Sequence, residues 1–377
     1  MDDDDVDAEW AAEQAEEEAD RLRKAEPAPQ MDEASFLAWR SPRTVSEGPT
    51  RLDNPLWHWL VRTRWSAFQA NNIFHGPSPL GAGPMWCFDR FGKSQTVLPD
   101  GRVVHIGGEH EDHYDPDFFI YNDVTVIAPD GSIEIRGYPH DVFPPTDFHS
   151  ATRVGDTIFI IGCLGYPGQR LMEVTPVYRL QLDGMTITRV ETTGEAPGWI
   201  SEHSAELAPD GRMILVRGGD LWRGAERAER ENIDTWALDT ANGHWTRASA
   251  LDWQMWTMLR VDRKRNRLWD TRHALWDRDH PWPGKEDYWR HDEAPDFEAL
   301  AMLYRLDDDS PAPEDGAEHN EYRVTIDGVV VRFKEDGFPV HAVVEGRLPD
   351  ERLAALQRKV LATLERIDGS AWEIDKG

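Results

Sequence analysis

His149-Ser150-Ala151-Thr152-Arg153-Val154-Gly155-Asp156-Thr157-Ile158-Phe159-Ile160-Ile161-Gly162-Cys163 decides how the rest of the chain is read. The same grammar stands upstream in Ser94-Gln95-Thr96-Val97-Leu98-Pro99-Asp100-Gly101-Arg102-Val103-Val104-His105-Ile106-Gly107-Gly108. It stands again downstream in His203-Ser204-Ala205-Glu206-Leu207-Ala208-Pro209-Asp210-Gly211-Arg212-Met213-Ile214-Leu215-Val216-Arg217-Gly218-Gly219. The serines step by 56 and 54 residues, and the glycine pairs (Gly-Cys in the second copy) by 55 and 56. Two separate landmarks share one period, which marks an internal repeat. In each copy a strand ends in Pro-Asp-Gly or Val-Gly-Asp, residues that favour a tight hairpin turn. An apolar strand then runs into the glycines, and its continuous hydrophobicity predicts burial on both faces. A third strand is expected at 123–127, 177–182 and 235–238, and a fourth at 133–136, 187–190 and 244–247.

Four short strands per repeat of this length resemble the kelch-repeat β-propeller family. The resemblance rests on His149-Ser150-Ala151, Ile158 to Gly162 and Val177-Tyr178-Arg179-Leu180 in one copy. In another it rests on His203-Ser204-Ala205, Ile214 to Gly219, Trp236 and Trp245. The first copy lacks the His-Ser-Ala opening and the trailing aromatic pair, and Cys163 departs from the second glycine. The resemblance implies a mainly β, kelch-like propeller over 92–306, with at least three clear blades and a degenerate fourth. Thr257, Val261 to Leu268 and Leu303-Tyr304-Arg305-Leu306 mark that fourth unit.

Outward from the repeats, residues 1–35 read as an acidic arm, marginally helical or disordered, ended by Pro27 and Pro29. Residues 36–91 are aromatic-rich and irregular, with a short helix around Leu56 to Val61 capped by Asp53, and they pack on or complete the propeller. Residues 307–321 read as a linker. From Tyr322 to Gly346 three strands are expected, with turns at Asp327-Gly328 and Asp336-Gly337. Leu353, Leu356, Val360, Leu361 and Leu364 follow helical spacing behind Pro349. Residues 322–377 thus predict a small β-β-β-α module.

The formal net charge is −29, and residues 1–35 carry 14 acidic against 3 basic side chains. Such a surface repels phosphate backbones and favours a basic protein partner; nucleic acid is not expected. No apolar run reaches membrane-spanning length, and the Asp-rich start lacks the features of a secretory signal. The expected location is the cytoplasm, where Cys87 and Cys163 would remain reduced.

Function is sought in the loops that follow the glycine pairs, because loops on a rigid scaffold carry binding. Those loops place His110, His113, Tyr166, Arg170, Asp220, Trp222 and Arg223 at one end of successive repeats. Trp and Arg are the residue types enriched at interface anchors. His110, Glu111 and His113 are also metal-ligand types, although their spacing matches no strong metal motif. His149 and His203 occupy equivalent positions, which assigns them to the architecture of the repeat. Trp276 to Pro283 reads as a lid or docking loop. No phosphate-binding glycine loop, GxSxG or HExxH is present, so no cofactor is expected. The primary expectation is a protein-binding platform, an adaptor or a neutralising partner of a basic protein. The alternative is a propeller enzyme acting on a sugar or small molecule, metal-dependent through the 109–115 loop.

Overall fold

The structure is a computed structural model describing residues 3–112, 115–225, 227–281, 289–307 and 309–375, without the side chains of 3–9, 79, 111–112 and 115–117. It is mainly β, built from several antiparallel sheets. The described chain forms two compact units, 1–222 with 231–249, and 223–230 with 250–377.

In the first unit each repeat folds into one antiparallel meander. In the first sheet the repeat supplies Ser94–Val97, Val103–Ile106, Val124–Ile127 and Ile133–Gly137, and Thr50–Arg51 adds a fifth strand beside the last. The second comprises Ser150–Val154, Thr157–Ile161, Val177–Gln181 and Thr186–Arg189. In the third the repeat supplies Ser204–Leu207, Met213–Arg217, Trp236–Asp239 and His244–Arg247, and Thr193–Gly194 adds a short parallel strand beside the last. Register is preserved among them: Ser94 pairs with Ile106, Ser150 with Ile161 and Ser204 with Arg217. The Pro-Asp-Gly turns do what their chemistry predicts. Asp100 and Asp210 accept from the backbone N–H of Arg102 and Arg212, while Gly101 and Gly211 take positive φ.

The apolar second strand of the middle sheet is buried on both faces. Ile158 and Ile160 pack with Val104, Ile106, Val124 and Val126 of the first sheet. Phe159 and Ile161 pack with Ile214, Val216, Trp236 and Leu238 of the third. Two side-chain hydrogen bonds stitch the sheets together. His149 Nε2 lies 2.8 Å from Ser94 Oγ, and His203 Nε2 lies 2.8 Å from Ser150 Oγ. Each imidazole entering one sheet thus meets the serine of the sheet before, so the repeated histidines are architectural.

The far face of the first sheet is covered by the aromatic segment. Leu56, Trp57, Trp59, Leu60 and Trp86 form one core with Ile133 and Ile135, and Trp57 stacks on Trp86 at 4.6 Å. Asn54, not Asp53, caps the helix Pro55–Thr63 by accepting from Trp57 N–H. Asp53 instead accepts from Ile135 N–H and helps seat this segment. Arg90 anchors it further. Its guanidinium lies 3.4 Å from the Tyr121 ring centroid and binds Asp123, which also accepts from Trp86 Nε1 at 2.7 Å. The acidic arm is helical over Asp3–Lys24.

The second unit corrects the expected fourth blade. Gln254–Arg260 pairs with Val340–Val344 and Trp372–Asp375, giving a six-stranded sheet ordered 314–315, 321–326, 329–335, 340–344, 254–260, 372–375. The physical reason is burial: Trp256 and Met258 share one core with Val331, Phe333, Val340 and Val344. Residues expected to continue the blade are helical, at Leu268–Asp279 and Phe297–Met302. Tyr304 is not in a strand; it is buried, stacked on Phe333 at 4.1 Å. Trp276 to Asp279 therefore closes a helix rather than opening a docking loop, and 282–288 lie outside the described residues. The three expected strands form, and the amphipathic helix spans Asp350–Asp368 with Leu356, Val360, Leu364 and Ile367 buried. The C-terminal module is larger than 322–377, because it recruits 254–260 and its helices. The expected linker contributes Glu314–Asp315 to its edge.

Candidate binding surface

The candidate loops begin at the glycine pairs. After Gly107-Gly108 the chain forms a hairpin, Glu109–Asp112 with Asp115–Ile120. Pairing of His110 with Phe119 turns its imidazole inward, leaving it only 5% exposed. His110 is therefore a poor partner-facing residue, contrary to the expectation of an exposed loop. The Glu111 side chain and His113 lie outside the described residues, so the proposed metal ligands do not come into view as a set. Among the described residues no three His, Cys, Asp or Glu side chains are grouped to hold a metal ion.

The corresponding loop of the second repeat reaches this hairpin. Tyr166 Oη accepts from Ile120 N–H at 3.0 Å, and its ring stands edge-on to Phe118, 5.9 Å away. Burial pushes the Tyr166 phenol up, so it stays neutral at physiological pH. A short 3-10 turn, Pro167–Gln169, then carries the chain to Arg170, whose guanidinium donates to Gly165 O at 3.3 Å. Tyr166 thus joins the second loop to the hairpin, and Arg170 bonds within its own loop.

Beneath the loop lies Asp147, which the sequence reading missed. It is fully buried and accepts from Gly165 N–H at 2.6 Å. Burial raises its pKa, partly offset by that N–H and by the Arg170 charge. Its equivalent in the next repeat is Ser201, so no repeat landmark singles it out. Asp147 holds the loop from below and leaves its tip free. At that tip Leu171 and Met172 are 55% and 57% exposed, and Phe118 on the neighbouring hairpin is 43% exposed. These side chains were also missed, because loop residues carry no periodic signal that separates core from surface.

In the third repeat Asp220-Leu221 pairs with Ile200-Ser201 as a short strand. The Trp222 backbone N–H donates to Trp199 O at 2.9 Å, and the residue is half-buried. Arg223 does not join this set. It belongs to the second unit, where its guanidinium lies 3.8 Å from Asp375 and burial lowers its pKa. The structure therefore joins Tyr166 with the hairpin of the first repeat, and it removes His110 and Arg223 from the exposed surface.

No family model matches the chain, and no curated protein matches its sequence. Among solved structures it is similar to one titled "Structure of YjhT", at 14% identity over 43% of this chain and 56% of that one, with a TM-score of 0.34. It is also similar to a fungal alcohol oxidase of the AA5 family in complex with copper, at 14% identity over 42% and 44%, with a TM-score of 0.28. The chain spans about half the length of each. Likenesses of this extent assign no function.

Proposed function

We propose that this chain is a kelch-like propeller array that serves as a protein-binding platform for a basic partner in the cytoplasm. One observation carries the reading. The loops of the first two repeats meet through Tyr166 and Ile120, and they present Phe118, Leu171 and Met172 to solvent on a rigid base. Large apolar side chains left exposed on binding loops favour partner contact. Aromatic residues and Met are enriched where partners bind. The net charge of −29 supplies long-range attraction for a cationic protein and sets a strong salt dependence of association. Its adaptor or neutralising role follows from the same surface, which needs no reacting group.

The test is a comparison of captures. Tagged wild-type protein and the variant Phe118→Asp/Leu171→Asp/Met172→Asp are incubated with the same native lysate at low and moderate salt. The expected result is a basic protein retained by wild type and released as salt rises. The variant should retain it at least about tenfold less, because interface anchors commonly contribute more than about 1 kcal/mol each. An identical set of proteins on both baits overturns the reading. Far-UV circular dichroism confirms that the variant is folded.

A further inference from the structure

The three sheets differ in one respect that the repeat makes visible. In the first two, the side facing the next sheet is sealed. Ile106 and Ile161 have no solvent exposure there. Ser94 and Ser150 each receive the imidazole of the following repeat. The backbone carbonyls of Thr146 and Ile200, on the way into the next sheet, press against Gly107 and Gly162 so closely that a Cβ would overlap them.

The third sheet has the same register but, among the described residues, none of these contacts. At the position of Ile106 and Ile161 stands Arg217, its side chain 46% exposed. At the position of Thr96 and Thr152 stands Glu206, 63% exposed and ion-paired with Arg217 across the strands. Ser204 is exposed, and its hydroxyl donates back to Arg217 O of its own sheet at 3.2 Å. Among the described residues nothing lies within 4 Å of where a Cβ on Gly218 would be. Three kinds of contact fail together on one face, and charge replaces the aliphatic side chain at the glycine end of the strand.

We infer that the third sheet is a built terminus of the array: the Glu206–Arg217 pair caps the face that would otherwise accept a further blade or a second copy of this chain. Stacked repeats need an end repeat with a polar outer face to remain soluble. An exposed ion pair contributes little to stability in water. Its desolvation is costly once another sheet covers it, so it opposes docking by hydrophobic packing. The opposite end of the array is closed in another way, by the aromatic segment on the first sheet. This inference rests on sheet packing and does not depend on the partner-binding reading.

The direct experiment restores the interior residues. The variant Glu206→Thr/Arg217→Ile is compared with wild type by sedimentation velocity over a range of concentrations. Asp252→Thr/Arg347→Ile, which removes an exposed ion pair from the second unit, is the control. The expected outcome is that only the first variant at least doubles its mass as concentration rises, while its circular dichroism stays native. A folded variant with the mass of wild type overturns the inference. So does a wild-type oligomer that dissociates on Glu206→Lys substitution, because the face would then be an interface. A second measurement covers the case in which the double variant fails to fold. Glu206→Cys in the otherwise wild-type chain should react with a maleimide at the rate of an unhindered thiol. Cys87 and Cys163 stay silent because both are buried. A thiol at position 206 that is protected from the maleimide would equally overturn the inference.

Discussion

Buried neutral imidazoles link residue chemistry to the integrity of the array. Burial lowers the pKa of His149 to about 3 and that of His203 and His105 to about 4. Their ordinary value is 6.5, so the unfolded chain accepts protons that the folded chain refuses. Stability from these groups is complete above pH 6.5 and is lost as pH falls from there toward 4 for His203 and His105 and toward 3 for His149. Each histidine should add a slope of about 1.4 kcal/mol per pH unit inside that window. Urea unfolding at pH 7, 6 and 5 should show this loss, and His203→Asn should flatten it by about one proton. An unchanged slope in the variant would contradict the role given to His203. Carboxylates held low, such as Asp262 at about 2, act at more acid pH. Asp147 and Asp368, raised by burial, act with the opposite sign, so the comparison between variants isolates the imidazole. The histidines were legible in the sequence because they recur at one place in the repeat. Asp147 was not, because its neighbour in the next repeat is a serine and its burial comes from chain segments distant in sequence.

Strands and helices were legible where local pattern and tertiary burial agree. The twelve strands of the three meanders follow hairpin chemistry and apolar runs, and each pairs with a close sequence neighbour. Gln254–Arg260 does not, because its partners begin more than 80 residues later. Its length and composition suit a blade as well as the C-terminal sheet, and only the available partner face decides between them. The helix Leu268–Asp279 escaped detection for a related reason. It buries only Leu268 and Thr271 fully, so it shows no apolar stripe. It is held instead by a polar contact: Arg272 binds Glu335 with two hydrogen bonds of 2.8 and 2.6 Å, and Tyr304 Oη donates to the same carboxylate at 2.8 Å. Removing one partner of such a buried pair strands the other. Glu335→Ala should therefore destabilise the second unit by about 3 kcal/mol or more. The double change Arg272→Met/Glu335→Leu should cost clearly less, because no charge is left unpaired. Equal losses for the two, measured by urea unfolding of the full chain, would contradict this account of the contact.

At the scale of the whole molecule, charge and exposed apolar surface are distributed differently. Charge is spread along the chain, and its sign was plain from composition. The apolar tip at Phe118, Leu171 and Met172 was not, because nothing local distinguishes a loop Leu that packs from one that projects. Trp and Arg types drew attention to Trp222 and Arg223, yet the former is half-buried and the latter is paired with Asp375. No helix among the described residues is long and apolar enough to cross a membrane. The molecule thus has two surfaces with opposite proposed roles, an apolar loop tip offered as a partner site and a charged sheet face offered as a terminus. Site-specific photocrosslinking distinguishes them in one experiment. A photoreactive amino acid is placed at Met172 in one preparation and at Glu206 in another, and both are irradiated in the same native lysate. The account predicts an adduct with a basic protein from position 172 and none from position 206. An adduct from 206 alone would contradict it.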